Sequence, residues 1–178
     1  MTEAHGSSAL ELVASAHRRR PAPVMPGALD PLFHRLASCE DVDDAAATEA
    51  RIWDLWMYHP HHRAARHLDR ASTEIATQRH DIAETRLARL LRSAPDYCEA
   101  WHKRATLYYL QERDDESLES LRHVLELEPR HFGAICAVAE ILLAKGDREA
   151  AAFAFETALR FHPHLGEAQQ RLLELQLQ

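Results

Sequence analysis

The chain has 178 residues, 46% hydrophobic and 28% charged, the balance of one soluble domain or one short repeat array. Its 28 acidic and 21 basic residues leave a net charge of -7, which opposes general attraction to nucleic-acid phosphates or to an anionic membrane. Five glycines are too few for many tight hairpins, and no apolar run is long enough for a membrane span. Cys39, Cys98 and Cys136 lack a C-x-x-C pair and fit reduced thiols better than a disulfide framework.

Residues 1–29 contain a short helical stretch from Ser8 to His17, the run Arg18-Arg19-Arg20, and Pro21, Pro23 and Pro26. The segment is expected to be a flexible tail. Proline follows the arginines where a twin-arginine signal needs an apolar region, and Glu3 and Glu11 oppose a mitochondrial presequence. Cytoplasmic residence is the expectation, with a periplasmic or envelope location as the alternative.

Asp30-Pro31 reads as a helix start, with Leu32, Phe33 and Leu36 on its apolar face. A second helix is expected from Asp41 to Tyr58, acidic in its first turn and carrying Ile52, Trp53, Leu55 and Trp56 toward its end. Residues 30–63 are expected to form an N-terminal helical cap on the helical region that begins at Ala64. The Trp53 and Trp56 pair reads as core, with a partner-binding patch as the other reading.

Pro95, Pro129 and Pro163 are spaced by 34 residues. Blocks of that length, 64–97, 98–131 and 132–165, align without a gap, and the offsets match the tetratricopeptide pattern W-x2-L-G-x2-Y, A-x3-F, P. The second block supplies Trp101, Ala105, Tyr108, Ser117, Leu121 and Pro129, and the third Ile135, Val138, Ala139, Leu142, Ala151, Phe155, Ala158 and Pro163. The first block keeps Ala71, Ala83, Leu87, Leu90 and Pro95 but has His67, Arg70 and Glu74 where apolar residues belong. Arg104 likewise stands in the leucine slot of the second block. Arg104 and Arg70 are expected to lie along apolar neighbours and reach an acidic group at the rim. Asp96 and Glu99 read as a capping box, and Gly146-Asp147 and Arg113-Asp114-Asp115 as turns between paired helices.

Residues 64–165 therefore resemble three tetratricopeptide repeats. The strings Ile52-Trp53-Asp54-Leu55-Trp56, Arg104-Ala105-Thr106-Leu107-Tyr108-Tyr109-Leu110 and His162-Pro163-His164 also resemble small proteobacterial tetratricopeptide proteins of unassigned activity, members of which often carry a signal peptide. The resemblance implies an all-α solenoid of antiparallel helix pairs, with residues 166–178 as a C-terminal capping helix over the last repeat.

The resemblance also implies a protein-binding groove lined by the first helix of each repeat. Its inward offsets give Glu99, His102, Thr106, Tyr109 and Leu110 in the second repeat, and Cys136, Glu140 and Leu143 in the third. The expected function is a non-catalytic protein-interaction adaptor or assembly factor holding a peptide or helix there, with a hydrophobic partner segment against Tyr109, His102 and Leu143. A terminal helix folded into the groove is the alternative use of the same residues. A structural or homo-oligomeric subunit packing through Trp53 and Trp56 is the alternative function. The basic clamp by which chaperone-binding relatives hold a carboxylate is absent, and Lys103 alone cannot replace it. No nucleic-acid or membrane partner, cofactor, metal or catalytic residue is expected. His59-Pro60-His61-His62 lacks zinc-site spacing, and no phosphate loop, G-x-S-x-G or H-E-x-x-H occurs.

Overall fold

A computed structural model describes residues 2–177; Met1 and Gln178, the outermost positions of the expected tail and C-terminal cap, lie outside them. Among the described residues there are ten α-helices, one 3-10 turn and no strand. The helices are α1 (Thr2–Ser15), α2 (Leu29–Ser38), α3 (Val42–Met57), α4 (His62–Ala76), α5 (His80–Ser93), α6 (Cys98–Leu110), α7 (Asp114–Leu127), α8 (Phe132–Ala144), α9 (Arg148–Phe161) and α10 (Gly166–Gln176). The 3-10 turn is Ala16–Arg18.

Three antiparallel pairs, α4–α5, α6–α7 and α8–α9, make the solenoid, and the second helix of each pair packs against the first helix of the next. Small buried residues at Ala105, Ala139, Ala151 and Ala158 let the backbones approach, and Leu118, Leu121, Ile135 and Phe155 fill the space between them. Burial of each such large side chain contributes roughly 2 kcal/mol. In the second pair the Ser117 hydroxyl, itself buried, donates to the Ala105 carbonyl at 2.9 Å.

The backbone has the same period as the prolines. α5, α7 and α9 each end two residues before Pro95, Pro129 or Pro163, whose rings cannot continue a helix. The turns between paired helices place Gln78, Glu112 and Gly146, again 34 apart, at φ of 58°, 58° and 85°. Glycine adopts that left-handed conformation without steric cost, and only the third repeat has it. Asp147 then caps α9 by accepting from the Ala150 N–H.

The segment expected to be a flexible tail instead packs on the solenoid. α1 lies across α7 and touches α8 and α9; Ala9 and Val13 are fully buried and Ala16 nearly so. The chain beyond α1 is fixed at the end of α7. Arg19 donates from its guanidinium to the Leu125 and Glu126 carbonyls at 2.9 and 3.3 Å, and the Ala22 N–H donates to the Leu127 carbonyl at 2.7 Å. The last carbonyls of a helix have no partner within it, so one arginine of the basic run serves as a C-terminal cap from a distance.

The second departure is the position of α2 and α3. They pack on each other but do not stack on α4 as an N-terminal cap; they run across the junctions between repeats. Tyr97 donates its hydroxyl to the Met57 carbonyl at the first junction. At the second, Arg130 holds the buried Glu128 at 2.9 Å, bonds Asp30 at 2.7 Å and lies 4.4 Å over the Phe33 ring. At the third, His162 contacts Glu49 at 3.0 Å and His164 donates to the Cys39 carbonyl at 2.9 Å. Asp30 is therefore an ion-pair partner and not a helix cap, α2 having Ala28 as its N-cap. α10 packs against α9.

Because α3 leaves α4 as the end of the array, the polar residues of the first repeat have a physical reason. His67 and Arg70 face solvent, and Glu74, although buried, is bonded by Arg86 at 2.7 and 2.5 Å. A terminal repeat has no neighbour to bury an apolar face, so a polar outer face is required there.

Candidate functional site

His102 and Thr106 on α6 and their counterparts one repeat on, Cys136 and Glu140 on α8, gather with Tyr109 round one depression. Between α6 and α8 this leaves a cleft of about 420 Å³. Ala105, Ser117, Phe132 and Phe155 also line it, and its walls carry Trp53 and Glu49 from α3 and Glu167 and Ala168 from α10. Of the eight residues expected in a groove, His102, Thr106, Tyr109, Cys136 and Glu140 line this cleft. Leu143 instead packs against the core, Leu110 is exposed away from the cleft, and Glu99 is fully buried.

α3 occupies part of the concave surface. The Trp53 ring stacks on His102 at 5.9 Å, meets Trp56 edge-on at 5.1 Å and donates from its Nε1 to Glu49 at 3.1 Å. Trp56 lies flat on His131, with ring centroids 3.9 Å apart and planes at 8°. The tryptophan pair is thus packed within its own chain, and Trp56 is only 3% exposed.

Beneath the cleft lies a charged network that sequence reasoning missed. Glu99 meets His102 Nδ1 at 3.1 Å, His131 Nε2 at 3.2 Å and Lys103 Nζ at 3.1 Å. It is not half of a capping box: α6 has Tyr97 as its N-cap, with no side-chain bond. Burial alone would raise the Glu99 carboxyl, but its bonds to His102 and His131 hold it well below the usual carboxylate range. Burial pushes His131 down to about 4, so its ring is neutral at physiological pH. The 34-residue period could have revealed the network, since it places Glu99 and His131 on neighbouring elements.

Glu99, His102 and His131 offer three ligand atoms within 4.8 Å of one another. The hydrogen bonds show what holds them together. His131 Nδ1 accepts from the Ala134 N–H at 3.1 Å, so the neutral ring carries its proton on Nε2 and donates it to Glu99. A cation there would displace that proton and meet the Lys103 ammonium. The triad joins the α8 N-terminus to α6 and has the chemistry of a structural network. Lys103, the one lysine considered for a carboxylate clamp, is engaged in it.

Cys136 faces the cleft as a thiol, pushed up to about 12 by burial and by Glu140 and Glu167. A protonated thiol is a poor nucleophile. Cys39, Cys98 and Cys136 are all free. Arg104 bonds the Ser120 hydroxyl at 3.0 Å and lies 4.1 Å over the Trp101 ring, and the Glu119 and Glu84 carboxylates favour its charge from nearby. Arg70 is exposed.

The family model for the tetratricopeptide repeat matches residues 99–131. A TPR repeat-containing protein of Rhizobium etli is 31% identical over 144 residues, which cover 81% of this chain and 71% of that protein. The chain belongs to the tetratricopeptide-repeat proteins. A solved structure of a MamA point mutant shares the fold at 19% identity, with a TM-score of 0.53 over 82% of each chain. Tetratricopeptide arrays are scaffolds for protein–protein interaction, and that general role extends to this chain. Among the described residues, no helix is long and apolar enough to cross a membrane.

Proposed function

We propose that this tetratricopeptide protein is a non-catalytic adaptor or assembly factor whose concave cleft takes a hydrophobic segment of a partner protein. The observation that carries the reading is the cleft itself. After α3 and α10 have taken their places, about 420 Å³ remains open between α6 and α8, floored by Phe132 and Phe155 and edged by Tyr109, His102 and Thr106. Tyr109 is 43% exposed, a large aromatic surface at the mouth of an apolar depression. The acidic residues at the mouth, Glu49, Glu140 and Glu167, orient an incoming segment, while burial against the aromatic floor supplies the affinity.

The cleft is too small for a whole helix along its length, so one or two bulky side chains of the partner enter it. Affinity capture with the wild-type chain, with Tyr109→Ala and with Thr106→Arg tests this. Both variants are expected to lose the same partner at least tenfold while melting as the wild type does. Retention of every partner by both variants would exclude the cleft.

A further inference from the structure

The outer face of the first repeat carries a second kind of surface. α4 presents Arg63, Arg66, His67 and Arg70 along one exposed stripe, at the three- and four-residue spacing that aligns side chains on a helix. His67 joins this stripe to a groove of about 600 Å³ between α4 and α5, whose apolar elements are Ile82 and Leu90. Ile82 is 48% exposed, and Arg86 and Arg89 edge the same groove. Arg86 is committed to Glu74, whereas Arg63, Arg66 and Arg89 have no carboxylate partner among the described residues.

Charge on this end opposes the charge of the chain. From His62 to Ser93 there are seven arginines and four acidic residues, a surplus of three positive charges. The remaining fourteen basic and twenty-four acidic residues carry -10, which gives the total of -7. A polar end face that only kept the array soluble would be served by mixed charges, as α10 is with Glu167, Arg171 and Glu174. The stripe itself is instead all basic, its Arg63 and Arg66 lack a carboxylate partner among the described residues, and it adjoins a partly apolar groove that Asp81 also lines. Inside the array, the equivalent side of a first helix receives the second helix of the preceding repeat, as α6 receives α5 and α8 receives α7.

We infer that the α4–α5 face is a second docking site, which takes an acidic amphipathic helix of a partner protein in the position that a preceding repeat would fill. Apolar side chains of that helix would cover the exposed Ile82, and its carboxylates would meet Arg63, Arg66, Arg70 and Arg89. Guanidinium groups bind carboxylates through paired N–H donors, which favours this partner chemistry. The net negative charge of the rest of the chain weighs against a nucleic acid or an anionic bilayer, either of which would also contact surface beyond the stripe.

The test uses the full chain and a fluorescent amphipathic peptide of leucine and glutamate, with the same peptide carrying glutamine for glutamate as control. Anisotropy is expected to show binding of the acidic peptide, weakened by salt, and at least tenfold weaker binding of the glutamine peptide. The exposed triple variant Arg63→Glu, Arg66→Glu, Arg70→Glu should lose binding tenfold or more with an unchanged helical melt. Lysine at the three positions should restore part of it, and Thr106→Arg in the concave cleft should leave it intact. Equal binding of both peptides, or undiminished binding by the triple variant, overturns the inference. So does tighter binding of phosphatidylserine vesicles or single-stranded oligonucleotide than of the acidic peptide, or a self-association that the triple variant abolishes.

Discussion

The edge of the Trp53 ring stands where a side chain on Gly133 would begin: a Cβ there would meet Trp53 Cη2 at 2.9 Å. Gly133 lies in the first turn of α8, where glycine is otherwise a poor choice, and its missing side chain lets α3 rest on the concave surface. Gly133→Ala is expected to lower stability by about 1 kcal/mol, because overpacking against the rigid indole outweighs the gain in helix propensity. In a Trp53→Ala background the same substitution should be neutral or stabilising. Urea denaturation of the four proteins measures the coupling, and equal effects of Gly133→Ala in both backgrounds would contradict the contact.

The three turns at Gln78, Glu112 and Gly146 share one left-handed geometry, yet two of them lack glycine. Gln78→Gly and Glu112→Gly should each stabilise the chain by about 0.5 kcal/mol, the relief of strain exceeding the added flexibility of the unfolded state. Gly146→Ala should destabilise by about 1 kcal/mol. Opposite signs at one repeat offset are the expected result in thermal melts. Destabilisation at Gln78 and Glu112 would show that their side chains contribute more than the backbone conformation costs.

The repeats were legible because their signals are local and periodic: Pro95, Pro129 and Pro163 stop helices, and Ala105, Ala139 and Ala151 mark close approaches. The placement of α1 and α2–α3 was not legible, because it depends on contacts between distant parts of the chain. Ala9, Val13 and Ala16 form a narrow apolar stripe beside a run of arginines and prolines, a composition that also suits a mobile segment. Their partners on α7 lie far away along the chain. Five of the eight expected groove residues needed only the repeat offset, which brings His102, Thr106, Tyr109, Cys136 and Glu140 to one cleft. Glu99 defied it because a buried carboxylate needs partners: His102 and Lys103 stand on its own helix, and His131 comes from the next repeat boundary.

The neutral state of His131 makes stability depend on pH. An unfolded histidine titrates near 6.5, while in the folded chain burial holds His131 at about 4. Between these values the unfolded chain binds more protons, so stability falls as pH drops through that window and is unaffected by this group above it. The full loss is about 3 kcal/mol at about 1.4 kcal/mol per unit of separation. Glu99, held below its usual range, adds a loss of the same sign as pH falls further. His131→Asn keeps an acceptor for the Ala134 N–H but cannot titrate. Its stability should vary less between pH 6.5 and 4 than that of the wild type, and an identical pH profile would remove His131 from the account.

Arg104 occupies a slot that the repeat pattern gives to leucine, and burial pushes its guanidinium down from its ordinary value. It gains the Ser120 hydroxyl, the Trp101 face and the nearby charge of Glu119 and Glu84, which only partly offset its lost hydration. Leucine at this position would keep the contact with Trp101 and remove the desolvated charge. Arg104→Leu is therefore expected to leave the melting temperature unchanged or raise it, the transfer gain exceeding the stacking and hydrogen bond it forfeits. Arg104→Ala should lower stability by about 1 kcal/mol, because it uncovers the Trp101 ring without refilling the slot. If Arg104→Leu destabilises as much as Arg104→Ala, the charge over Trp101 is the stabilising element and the slot is not apolar in this repeat.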